Sequence, residues 1–214
     1  MPVAAEPLLR GWYARLREDA GPGAPVRTTL VAVLSRDFPA GALVDLPGHR
    51  RPAGWQLAVS VDAGGRIGAV EVNLPQAPLL WYVELPEPDA DPAATVLLAF
   101  SDSRYAEGRL LTEDEARAAR IGADHQVAAV RWWPASGLVH QLYVAPAHRR
   151  RGVAGKLVQA AFGIQRARGL PDLHGDGRRT DLGETFRRAL PDYAAWRLDP
   201  WSQRLPPMTP AGTE

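Results

Sequence analysis

Apolar residues recur at two spacings along the chain, and each spacing predicts an element. Leu8, Leu9, Trp12, Tyr13 and Leu16 fall at helical spacing, so an amphipathic helix packed on a sheet is expected before the break at Gly21-Pro22-Gly23. Thr28 to Leu34 reads as a strand, and Trp55 to Val61 with Ile67 to Leu74 reads as a hairpin around Asp62-Ala63-Gly64-Gly65. Leu79 to Leu85 and Thr95 to Phe100 read as further strands, separated by the prolines and acids of PEPDADP, an exposed loop. Thr112 and Glu115 stand in capping-box positions and open a short helix to about Arg120.

The pattern then changes to strand, turn, strand, basic loop and helix. Val127 to Trp133 and Leu138 to Val144 form a predicted antiparallel pair across Pro134-Ala135-Ser136-Gly137. Trp132 and Trp133 must then point to opposite faces, one toward the core and one toward a cleft. After Ala145-Pro146-Ala147-His148, the stripe Val153, Leu157, Ala160, Ala161 and Ile164 predicts an amphipathic helix that stops at Gly169. From Asp199 the sequence DPWSQRLPPMTPAGTE carries too little apolar periodicity for a core element and reads as an arm.

Composition narrows the function classes. At 214 residues, one elaborated domain is expected. No apolar run approaches the roughly 18 residues of a membrane span, and the N-terminus lacks the basic and apolar regions of an export signal, so a cytoplasmic protein without membrane contact is expected. The absence of cysteine excludes thiol chemistry and thiolate metal sites, and His49, His148 and His174 lack metal-ligand spacing, so no metal is expected. Net charge is only +1, yet residues 1–147 hold 13 basic and 17 acidic side chains whereas 148–204 hold 12 and 6, which makes the C-terminal third the anion-binding candidate. Only Lys156 among the basic residues is lysine, an arginine bias that looks compositional.

The start of the helix at Val153 breaks two preferences. No Ser, Thr, Asp or Asn precedes it directly, and Arg149, Arg150 and Arg151 crowd an end that the helix dipole makes positive. A phosphate would satisfy the unpaired N–H groups and the arginines together, with Gly152 and Gly155 allowing close approach. The alternative is a water-capped helix whose arginines are merely solvated.

These residues carry a family resemblance. LVHQLYVAPAHRRRGVAGKLV resembles motif A of the GNAT superfamily of N-acetyltransferases: an apolar strand ending in Val144, Pro146 in the turn, then Arg149, Gly152 and Ala154 in the signature positions. The resemblance covers roughly residues 127–190. It implies an α/β fold with a mixed, mainly antiparallel sheet flanked by helices, here with an enlarged N-terminal half. Residues 1–104 would be the strand-rich acceptor-binding elaboration, 105–198 the cofactor-binding core, and 199–214 a Pro-rich tail. It further implies acetyl-CoA as cofactor, its pyrophosphate held around Arg149, Arg150, Arg151, Gly152, Val153, Ala154 and Gly155, and its pantetheine arm lined by Leu142, Tyr143 and Val144.

The downstream half departs from the family. Leu170 to His174 would be the next strand and Thr180 to Arg187 the next helix, with Thr180 a natural N-cap; Arg187 then stands where the family's tyrosine acid belongs. Tyr193 or solvent could protonate the departing thiolate instead. Removing the acceptor's proton needs a base. His140 is the candidate, on a strand face shared with Leu138, Leu142 and Val144, with a packing role as its alternative. Glu84 and Glu71 are acidic candidates with solvent-facing strand positions as theirs, and Asp124 and His125 could line a cleft. The resemblance thus implies acyl transfer from acetyl-CoA to an amine, with a small-molecule acceptor favoured over nucleic acid by the mildly acidic N-terminal part. A homodimer is kept open. A non-catalytic acyl-CoA-binding sensor and a nucleic-acid binder are the alternatives.

Overall fold

The computed structural model describes residues 11–18, 27–48, 50–190 and 198–207. The first element is a strand, β1 (Trp12–Glu18), where a helix was expected. Trp12, Ala14 and Leu16 are buried while Tyr13 and Arg15 between them are half-buried, so the period that governs is two. Leu8 and Leu9, which suggested the helix, lie outside the described residues. With β2 (Arg27–Val33), β3 (Leu43–Pro47), β4 (Trp55–Asp62) and β5 (Ile67–Val72), it forms a five-stranded sheet ordered β3-β1-β2-β4-β5. The sheet is antiparallel except where β1 runs parallel to β3.

A second five-stranded sheet is built from β6 (Trp81–Glu87), β7 (Ala94–Phe100), β8 (Leu110–Leu111), β9 (Gln126–Trp133) and β10 (Leu138–Val144), ordered β10-β9-β7-β6-β8. Only its β6–β8 pair is parallel. The architecture is thus mixed α/β with mainly antiparallel strands, divided between two sheets. Helix α2 (Val153–Ala167) explains the division. Its buried Val153, Leu157, Ala160, Ala161 and Ile164 share one core with Leu57, Val59, Val70 and Val72 of the first sheet and with Leu97, Val130 and Trp132 of the second. Gly163 is where the helix touches the first sheet: a Cβ there would stand 2.8 Å from Leu57 and 2.9 Å from Val59. The Trp pair divides as expected, with Trp132 fully buried and Trp133 half-buried.

The outer face of each sheet has its own cluster. Trp12, Ala14, Leu16, Val31, Val33 and Ala58 pack on the first, while Trp81, Val83, Phe100 and Leu111 pack with Ala116 of α1 (Glu113–Ala118) on the second. The capping box of α1 forms: Thr112 accepts from the Glu115 amide at 3.3 Å, and Glu115 accepts from the Thr112 amide at 2.9 Å. That Thr112 amide, joined by hydrogen bonding and charge from Arg66 and the charge of Arg109, outweighs burial and holds the Glu115 carboxyl below its ordinary 4.5. A lowered native value means that Glu115 contributes stability above the ordinary value, lost as pH falls through the native one. Glu115→Gln should therefore flatten the acid limb of a melting-temperature profile, which differential scanning calorimetry can read.

The segment read as an arm contributes one short strand among the described residues. β11 (Arg178–Arg179) pairs in parallel with β12 (Gln203–Arg204), and α3 (Asp181–Ala189) starts at the expected cap, with Thr180 accepting from the Gly183 amide at 3.1 Å.

Candidate active site

The strand β10 carries a bulge at the residue proposed as base. Val139 pairs with Trp132 and Gln141 with Arg131, so His140 has no place in the ladder. The extra residue breaks the alternation: Val139, Leu142 and Val144 turn toward the core, whereas His140 is exposed and stacks on Trp133 with ring centroids 5.1 Å apart. The expectation that His140 shares a face with Leu142 and Val144 is corrected by that inserted residue. His140 lies on the opposite side, away from α2.

The same bulge marks where two strands part. Leu138 bridges His174 in parallel, with the Val139 amide donating to the His174 carbonyl and the His174 amide to that of Gly137, both at 2.9 Å. Of the expected strand at Leu170 to His174, only this bridge forms. From His140 to Val144 the outer edge of β10 has no strand beside it among the described residues. A splayed edge of this kind presents backbone groups to an extended ligand. The backbone of Leu142, Tyr143 and Val144, the residues expected to line the pantetheine arm, lies on this open edge, with the Val144 carbonyl already accepting from Arg149 Nε at 3.2 Å.

The chain then turns through Pro146–His148 into α2. Gly152 is its N-cap, in the left-handed region at φ 78°, and no side chain caps the helix. Among the described residues the amides of Val153, Ala154 and Gly155 have no acceptor. Free amides at the head of a 15-residue helix, flanked by the exposed Arg150 and Arg151, fit a pyrophosphate group. The two glycines differ in what they leave open. A Cβ on Gly152 would meet that of Ala77 at 2.9 Å, whereas one on Gly155 would find Leu74 no nearer than 3.7 Å. Gly152 thus serves the turn and the loop packed against it, and Gly155 is the glycine with space beside it.

The acidic candidates for base are committed elsewhere. Glu84, expected on solvent or in the site, is only 8% exposed and takes a bidentate pair from Arg168 at 2.6 and 2.7 Å. Glu71 pairs with Arg51 on the first sheet, and Asp124 and His125 meet each other at 3.3 Å in an exposed turn. Tyr193 lies outside the described residues. On α3, Arg187 at the family's tyrosine position lies 3.6 Å from Glu184, which is also held by Arg179 and Arg188. Burial opposes ionisation of Glu184, but the Arg179 and Arg188 hydrogen bonds with the nearby charges prevail and lower its pKa.

One polar group near the site went unforeseen. Lys156, in the first turn of α2, has a side chain only 3% exposed. Its Nζ donates to the Pro78 carbonyl at 3.0 Å and to the Glu107 carboxylate. The neighbouring Tyr82 hydroxyl is buried without a partner among the described residues, and burial, then the Glu107 charge, pushes its pKa above the ordinary range. The only signal in the sequence was the single lysine itself.

Residues 79–174 match the family model described as the acetyltransferase (GNAT) family, just under half of the chain. No curated protein and no solved structure matches. The matched span begins just before β6 and ends at His174, so it takes in the bulged strand, the turn and the uncapped helix. Over residues 79–174 the chain is accordingly similar to the acetyltransferase (GNAT) family, whose members move acyl groups from acyl-CoA.

Proposed function

We propose that the protein transfers an acetyl group from acetyl-CoA to a small-molecule amine, with His140 as the base. The observation that carries this reading is the bulge at His140: it leaves the β10 edge open toward an uncapped α2 and holds an exposed imidazole beside the point where β10 parts from His174. Pantetheine would lie along Leu142 to Val144, and the pyrophosphate would sit on the amides of Val153 to Gly155 with Arg150 and Arg151 beside it. The thioester would then end near the divergence of β10 from His174, where His140 takes the amine proton as the nitrogen attacks the carbonyl. CoA thiolate leaves and is protonated by solvent, since Arg187 is engaged with Glu184.

The test is CoA release from acetyl-CoA against pooled small amines. Release with at least one pool is expected. His140→Ala should lower turnover by roughly a hundredfold while leaving CoA affinity and melting temperature nearly unchanged, because His140 is exposed. A packing role predicts the reverse, lost stability with activity following the folded fraction. A second reading is favoured by Arg187 in the tyrosine position: a non-catalytic acyl-CoA-binding module, which would bind acetyl-CoA and release CoA to no amine.

A further inference from the structure

A second candidate site is a cavity of about 640 Å³. It sits on the face of the first sheet opposite α2, walled by the loop after β7 through Glu107 and Arg109. That wall leads into β8, the edge of the second sheet opposite β10, and its Glu107 carboxylate takes the Nζ of Lys156.

Its floor is a cross-strand row, Leu16, Thr29, Ser60 and Ala69. The next row, Ala14, Val31 and Ala58, is apolar and buried, so two hydroxyls at the same level are a departure from the face they belong to. Thr29, 7% exposed, and Ser60 share one hydrogen bond of 3.2 Å. One of their two hydroxyl hydrogens is left for a ligand.

The charges around that floor are unequal. Each carboxylate of the lining has a donor of its own: Glu71 has Arg51, Glu107 has Lys156, and Asp62 accepts from the amides of Gly64 and Arg66, both at 2.9 Å. Arg66 and Arg109 share the single carboxylate of Glu115, at 2.5 and 3.2 Å. Arg27, across the ladder from Asp62, has no ion-pair partner among the described residues. Three guanidiniums near the β4–β5 turn therefore stand against two carboxylates, Glu115 and the amide-held Asp62, and Arg27 is the one without a paired carboxylate among the described residues. At the other end, two rows away, the Glu71 carboxylate offers lone pairs.

We propose that this cavity binds a small hydroxylated molecule with one anionic head, a carboxylate or a phosphate. The head sits on Arg27, Arg66 and Arg109, and the hydroxylated body runs over Thr29 and Ser60 toward Glu71. Its volume is that of a small-metabolite site.

The test is isothermal titration of three matched probes, glucuronate, glucose 6-phosphate and glucose, into the full chain. One or both anions should bind at millimolar concentration or below, and glucose should not, with the stronger anion telling carboxylate from phosphate. Arg27→Gln and Arg66→Gln should each weaken the bound anion by roughly tenfold or more, as loss of a charged hydrogen bond demands. Arg178→Gln, on β11, should change nothing. Arg27 is exposed at the start of β2, so its variant folds. Binding of neither anion, equal binding of glucose, or anion binding that survives both cavity substitutions would overturn the proposal.

Discussion

Gly155→Asp should leave the protein folded and at least as stable, while its affinity for acetyl-CoA falls more than a hundredfold. Residue 155 is the third residue of α2, and a Cβ there makes ordinary contact with Leu74. Replacing a helical glycine removes unfolded-state freedom, and a carboxylate in the first turn complements the helix dipole; each contributes about 0.5 kcal/mol. The same carboxylate stands among the amides of Val153 to Gly155 that the pyrophosphate would use. Like-charge repulsion and lost charge-assisted hydrogen bonds should cost on the order of 3 kcal/mol of binding, more than a hundredfold. Opposite signs for stability and binding are the signature. Gly152→Asp cannot show it, because φ 78° and the approach of Ala77 would add strain to the fold itself. Thermal melting and calorimetric titration of the Gly155→Asp protein measure both quantities.

Trp132→Ala should be the most destabilising single substitution in the core between β9 and α2. The indole is fully buried, and its Nε1 donates to Gln165 Oε1 at 3.0 Å. Gln165 in turn donates to the carbonyls of Pro134 and Pro171, at 2.7 and 2.9 Å, so one side chain ties α2 to the turn between β9 and β10 and to the segment that follows α2. Removing the ring leaves a cavity and an unsatisfied amide oxygen, about 3–5 kcal/mol together. For a chain of this size that lowers the melting temperature by about 10 °C. Trp132→Phe should recover most of the packing and none of the hydrogen bond, leaving about 1–3 kcal/mol lost. Chemical denaturation of both variants separates the two contributions.

What could be read from the sequence follows the range of the forces involved. The run from β9 to α2 was legible because hairpin, turn and helix are set by neighbours in the chain and because the motif is local. β1 was misread because Trp12, Tyr13 and Leu16 satisfy a helical spacing as well as a strand's; pairing with β2 and β3, remote in sequence, decides the matter. The bulge at His140 carries no glycine and no turn signature. It exists only in the register between β9 and β10, so the face of His140 was assigned by an alternation that the fold breaks. Glu84 was weighed as a surface group or a base because its partner Arg168 is 84 positions away. The arginine-lined cavity could not be read either, since residues from β1, β2, β4, β5 and the loop after β7 meet there only through the sheet.

The central claim is that acyl-CoA lies along the freed edge of β10 and ends its pyrophosphate on α2. Backbone amide NMR of the ¹⁵N-labelled protein during titration with desulfo-CoA tests it most directly, because the probe cannot react. The largest shifts should fall on Leu142 to Val144 and on Gly152 to Gly155, with His140 responding less because desulfo-CoA lacks the thioester. Shifts confined to other segments, or a spectrum unchanged at millimolar probe, would contradict the account.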